Sequence, residues 1–387
     1  VTELLKELPV RPRIRMSYHV IPMSDNRVQL RSGSDAFIMQ GEAVQTLIKD
    51  LFPLLTGDHT IESILEKLSS QYSRDSIIGF LHKLTLRRVL EDAAVEPSFS
   101  VKKEDLECHK PQLTYFSHYS RNPYDQQARL RQARVAVCGL GPLGVRTARS
   151  LACAGVGEIL GLDENVIVEE DVHQGLFFKP EDLGHPRGSA FRQRGHEWMN
   201  NPVWKGIEQT PDGADYFIRH LQGTDYLVAC QESFQPRILE WINEACLELK
   251  LTWTWCTLDG HIGTIGPTVI PTQTACWKGY DLRVKANMDH YEEYLAYEDH
   301  LRKQDTSRVK FGYLVPSLDF LAGLTALEVI KDLSGLTPPL TYGAQISIDL
   351  LNTEFELHPV LKLPRCPVCG RLEREGAIVR PFLERSL

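Results

Sequence analysis

A chain of 387 residues, 42% hydrophobic and 24% charged, exceeds what one ordinary core organises and is neither disordered nor collagen-like in composition. Its formal net charge of -8 withholds the general attraction to a polyanion that a nucleic-acid-binding chain needs. No apolar run reaches the roughly 18 to 20 residues of a membrane span, so a cytoplasmic protein that binds neither nucleic acid nor membrane is expected. Nine cysteines in so long a chain are not a disulfide framework, and only Cys366 and Cys369 show the tight C-x-x-C spacing of metal thiolates.

In chain order, YHVIP, RVQLR and AFIMQG read as three short strands between Asn/Asp/Ser/Gly turns from Ser17 onward. Helical periodicity follows at Glu42 to Leu51, at Thr60 to Leu68 with Thr60 as N-cap, and at Ser73 to Leu86. Three strands and three helices in this order resemble a winged helix-turn-helix. Residues 1–97 are expected to form that module, residues 98–117 a linker and residues 118–387 a second domain.

The second domain opens on a continuous apolar strand, Arg134 to Gly139, a glycine-rich turn and a helix from Val145 to Ala154, and then a strand from Glu158 to Asp163. This is a β-α-β unit, and it predicts an α/β, Rossmann-like nucleotide fold. Further strands are expected at Tyr226 to Cys230, Thr252 to Cys256 and Ile346 to Asp349, with helices at Pro236 to Leu249 and Ser317 to Leu333. Gly139, Gly141 and Gly144 make a G-x-G-x-x-G between strand and helix, where backbone N–H groups can accept phosphate. Asp163, about 20 residues on, supplies an acid for a ribose. The same glycines would also serve close helix-strand packing without any ligand.

The segment HYSRNPYDQQARLRQARVAVCGLGPLG (residues 118–144) resembles the stretch leading into the glycine loop of the ThiF and ubiquitin-activating superfamily, where R-Y-x-R-Q precedes the loop. Arg121 falls at the second arginine of that pattern, which in the family reaches the partner subunit's nucleotide, so the resemblance implies a homodimer. It also implies an ATP/Mg site. Here Asp163 is retained as the ribose acid. His173, within DVHQ, stands where an arginine belongs, Arg187 in GHPR replaces a lysine, and Glu232 in CQESFQPR replaces an aspartate.

The segments that begin DGHIGTIGPTVIP and LHPVLKLPRCPVCG resemble a narrower group: ThiF-like proteins that bind the leader of thiazole/oxazole-modified precursor peptides for a YcaO-type cyclodehydratase. In that group the N-terminal winged helix recognises peptide. A strand edge at Ala36 to Gln40 would accept an extended leader, with Phe37, Met39, Ile77, Phe80, Leu81 and Leu84 as candidate contacts. Apolar residues at helical spacing also commonly face their own core. Cys366 and Cys369 resemble half of a zinc knuckle, and Cys276 is a third thiolate, although Gly279 stands where the family carries the second cysteine of that pair.

The expected function is therefore leader binding and delivery to a cyclodehydratase. The alternative is an adenylating enzyme of the pantocin or microcin type that modifies the precursor itself, using Arg121, Asp163, Arg187 and Glu232. A sulfur-carrier activator would leave the N-terminal module unexplained, and a dehydrogenase would leave the C-terminal half unexplained.

Overall fold

The computed structural model describes residues 2–15, 17–24, 26–33, 35–41, 44–95, 107–120, 122–175, 177–231, 234–303 and 312–372. The chain divides into two compact units, Val1–Asp125 and Gln126–Leu387.

In the first unit β1 (Pro12–Ile14) pairs antiparallel with β5 (Leu90–Asp92), and β2 (His19–Pro22), β3 (Arg27–Ser32) and β4 (Asp35–Gln40) form an antiparallel meander. Helices Val44–Leu51, Ile61–Leu68 and Arg74–Leu86 follow β4. Their starts are set by local chemistry: Thr60 Oγ1 accepts from the Ser63 N–H and Ser73 Oγ from the Ser76 N–H, satisfying donors the first helical turn leaves orphaned. Leu30 of β3 meets Leu51, Ile64, Ile77, Ile78 and Leu81 in one buried cluster. Helix Lys110–Ser117 lies within residues 98–117, the expected linker, and β5 precedes it.

The second unit is built on an eight-stranded sheet. Strands β6 (Arg134–Cys138), β7 (Glu158–Leu162), β8 (Val203–Ile207), β9 (Tyr226–Gln231) and β10 (Thr252–Asp259) run parallel in the spatial order β8-β7-β6-β9-β10. Antiparallel β11 (Ile262–Ile265), β12 (Ala344–Asp349) and β13 (Glu354–Pro359) extend it beyond β10. Both faces are covered. Val135 and Val137 of β6 point into a core with helices Pro142–Cys153 and Val315–Ser334, and Ala136 points into another with helices Ala214–His220 and Pro236–Leu249. That is why β6 reads as an uninterrupted apolar run rather than an alternating one. The strand order reverses between β6 and β9, and at this switch point doubly wound sheets open a crevice beyond their carboxyl ends.

Candidate functional site

A cleft opens at that switch point, lined by the ends of β6 and β9, the glycine loop and the turn after β7. Gly139 has φ of +90°, and a Cβ there would lie 2.1 Å from the Cys230 carbonyl oxygen of β9. A Cβ on Gly144 would lie 1.8 Å from the Gly139 carbonyl oxygen. Both positions therefore require glycine for the fold itself, whatever the cleft holds. Gly141 is the N-cap of helix Pro142–Cys153 and lines the cleft. A helix N-terminus presented this way attracts an anion.

Asp163 follows β7 and is 4% exposed. Its Oδ2 accepts from the Leu140 N–H at 2.7 Å, and its Oδ1 accepts from the Asn165 backbone and side-chain nitrogens, both at 2.8 Å. The carboxylate thus braces the glycine loop. Arg187 Nη1 also donates to Asp163 Oδ2, at 3.1 Å. The rest of the guanidinium fork grips Asp171, Nε to Oδ2 at 3.0 Å and Nη2 to Oδ1 at 2.7 Å, with Asp171 1% and Arg187 5% exposed. Nothing in the sequence marks Asp171 as part of the site. It sits in the segment where the family pattern carries its arginine, and its pairing with Arg187 depends on how helices Glu169–Gly175 and Arg187–Trp198 approach each other.

The cleft lining includes Asp163 and Glu164 against the single guanidinium of Arg187 among the described residues. His173 lies on an exposed helix surface beside Glu169, 3.4 Å away. Arg121 and Glu232 lie outside the described residues. Cys138 and Cys230 line the cleft as well. Burial, then the nearby Asp163 and Glu164 charges, push the Cys138 thiol well above its ordinary range. Cys230 is likewise raised, by its hydrogen bond with Cys256 and by burial. Neither is a thiolate nucleophile at neutral pH.

The three cysteines Cys276, Cys366 and Cys369 come together in the second unit with their sulfurs within 4.8 Å of one another, all buried. Cys276 and Cys366 Sγ are 3.5 Å apart. A tetrahedral zinc with Zn–S near 2.3 Å needs sulfurs about 3.8 Å apart, so the trio fits three corners of such a site. Hydrogen bonding from Cys369, with further bonds from the Gly279 N–H and Cys366, outweighs burial and brings Cys276 down to about 5. Among the described residues no fourth His, Cys, Asp or Glu joins the trio, and a Cβ on Gly279 would lie 3.9 Å from Cys366 Sγ and 4.0 Å from Cys276 Sγ.

In the first unit the peptide candidates divide by burial. Ile77, Leu81 and Leu84 are at most 1% exposed, turned into the unit's own core. Phe37, Met39 and Phe80 are half-buried at the edge of that core. Ile38, between Phe37 and Met39, faces outward at 52% exposure, a position the sequence reading passed over.

A doubly wound sheet with a glycine loop at its switch point and an acid after the second strand defines a nucleotide-type α/β protein. The ThiF family profile matches residues 115–368, and the chain belongs to the ThiF family. Protein HesA of Leptolyngbya boryana is 28% identical over 269 residues, covering 68% of this chain and 85% of that one. The sulfur carrier protein ThiS adenylyltransferase of Escherichia coli is 24% identical over 261 residues, covering 66% and 95%. Among solved structures, E. coli MccB with ATP superposes with a TM-score of 0.72 at 16% identity, covering 93% of this chain and 99% of that one, a likeness of fold. In none of the described residues is a helix long and apolar enough to cross a membrane.

Proposed function

We propose that this ThiF-family chain is a binding and delivery protein, which holds the leader of a ribosomally made precursor peptide and presents it to a YcaO-type cyclodehydratase. The observation that carries this reading is the state of Arg187. The guanidinium that would meet nucleotide phosphates is already gripped by Asp163 and Asp171, leaving the trio with one net negative charge. A triphosphate entering this cleft would meet Asp163 and Glu164 beside an arginine that two carboxylates already hold, an arrangement that offers its phosphates little positive charge beyond the magnesium it brings. In this reading the cleft is an inherited feature of the fold and the ATP chemistry belongs to the partner enzyme.

The first unit supplies the peptide surface. In it the meander β2–β4 is followed by helices Val44–Leu51, Ile61–Leu68 and Arg74–Leu86, and we read this part as a winged-helix peptide module; among the described residues β4 pairs with β3 alone, so its outer edge offers unpaired backbone groups to an extended peptide. Phe37, Met39 and Phe80 shape the shallow side of that edge, while Ile77, Leu81 and Leu84 support it from beneath. Any zinc on Cys276, Cys366 and Cys369 is structural in this proposal.

A second reading, adenylation of the precursor by this chain itself, is favoured by one observation. The fold likeness to MccB spans 93% of the chain and so includes the first unit, and MccB is known in complex with ATP and, as a microcin C7 biosynthetic enzyme, with N-formylated MccA. Pyrophosphate release separates the two. Purified chain, MgATP and a candidate precursor peptide are incubated with and without a YcaO-type cyclodehydratase, using wild type and Asp163→Ala. Delivery predicts turnover only with the partner. Turnover without the partner, lost in Asp163→Ala, would make the chain an adenylating enzyme.

A further inference from the structure

The first unit contains a cavity of about 520 Å³ whose lining is chemically divided. Leu8, Leu90 and Val95 give it an apolar wall. Facing them are two arginines, Arg15 and Arg88, that form no ion pair with a carboxylate among the described residues. Arg15 is 7% exposed; its Nη1 donates to Ser117 Oγ at 2.6 Å, its Nε is sealed from solvent with no hydrogen bond, and no carboxylate among the described residues pairs with it. Arg88 donates through Nη1 to the His118 carbonyl at 2.6 Å and lies over the Tyr119 ring at 6.0 Å.

The acids around the cavity are already engaged. Glu91 accepts from Arg13 Nε at 2.7 Å, Asp92 accepts from the Val10 and Arg11 N–H groups at 2.7 and 2.9 Å, and Glu7 pairs with His82 at 2.8 Å. Burial lowers Arg15 from its ordinary value, with Arg88 adding to the effect and Glu91 opposing it. His118 is lowered by burial and by both arginines, so it adds no third positive charge.

A buried guanidinium beside another, with an unfilled donor and no counter-ion, is an arrangement that folding alone does not favour. It is explained if a ligand brings the missing negative charge. We propose that this cavity is a carboxylate site in which Arg15 and Arg88 hold the oxygens while Leu8, Leu90 and Val95 cover an apolar stem. A planar fork suits a carboxylate, and the apolar wall selects against a bare inorganic anion. The site does not depend on the delivery reading. Its ligand is either a small organic acid or an acidic residue of a bound peptide.

The test uses the full chain and thermal unfolding at constant ionic strength. N-acetyl-leucine, which carries a carboxylate on an apolar stem, should raise Tm in a saturable way at millimolar concentration, and N-acetyl-leucinamide should not. Arg15→Gln and Arg88→Gln should each weaken the response at least tenfold in ligand concentration; if Arg15→Gln does not fold, Arg88→Gln decides. Equal shifts from acid and amide, a response unchanged in Arg88→Gln, or a preference for inorganic phosphate would each overturn the assignment. A capped pentapeptide with a central Leu-Glu pair separates the two sources: saturation at least tenfold below N-acetyl-leucine points to a peptide, and no response to it beside a response to N-acetyl-leucine points to a small acid.

Discussion

Asp171 holds a charge that no solvent reaches, and its removal has a defined consequence. Asp171→Asn would break the buried ion pair with Arg187, and the cost expected for breaking such a pair is about 3–5 kcal/mol. Urea unfolding would show it as a fall in midpoint without a change in slope. A second ionic cluster carries the acid limit. Burial alone would raise Asp182, but hydrogen bonds from Arg194 and the Lys179 N–H overcome it and hold the carboxyl below its ordinary value. Lys179 and Arg194 bring Glu197 down to about 2. Groups whose folded values are depressed add stability above their unfolded values, and this is lost as pH falls through the folded ones. Tm should therefore be insensitive to this cluster above pH ~5 and fall between pH ~4.5 and ~2, with a shallower fall in Arg194→Met. At the cysteine trio, Gly279→Cys should supply the fourth sulfur and raise zinc affinity. Co²⁺ titration would show a tetrahedral thiolate spectrum at lower metal concentration than wild type; an unchanged titration would mean that the 279 side chain does not reach the ion.

At the scale of elements, two helical glycines make opposite predictions. In helix Arg187–Trp198, a Cβ on Gly195 would lie 2.3 Å from the Trp204 ring of β8, so the helix can approach the strand only because no side chain intervenes. Gly195→Ala should destabilise by about 1–3 kcal/mol through overpacking. In helix Arg74–Leu86, a Cβ on Gly79 would meet nothing within 4 Å. Gly79→Ala should stabilise by up to ~1 kcal/mol, because only the backbone entropy of the unfolded chain changes. The same denaturant series reads both, and equal signs would contradict these packing assignments. The polar composition of residues 187–198, broken by two glycines, is also why that helix and β8 have no clear signature in the sequence. Their partner is tertiary: Trp204, itself 1% exposed, fills the space Gly195 leaves, and the backbone at Ile207 packs against Gly188.

For the whole molecule, the formal net charge of -8 opposes binding to nucleic acid even where a three-helix, three-strand module invites that reading. Fluorescence anisotropy with the full chain should show saturable binding of the labelled precursor leader. A labelled 20-base-pair duplex at 150 mM salt should give none. Duplex binding that weakens steeply with added salt would mark phosphate contacts and displace the peptide reading.

Local patterns in the sequence determined the parts of this protein that local physics governs. Strand β6 is legible because both its faces are buried, the glycine loop because Gly139 must take a positive φ, and the helix starts at Ile61 and Arg74 because Thr60 and Ser73 cap them. The position of Asp163 at the end of β7 follows from the same β-α-β spacing. Tertiary structure alone decided which apolar residues of helix Arg74–Leu86 were sealed and which stayed at the surface, since helical period gives a face but not what covers it. It also decided that Arg187 meets Asp171 and that Arg15 pairs with no carboxylate among the described residues. Ion pairing depends on distances across turns and between elements, and these are set by how the cores close, not by any repeat that the chain carries along its length.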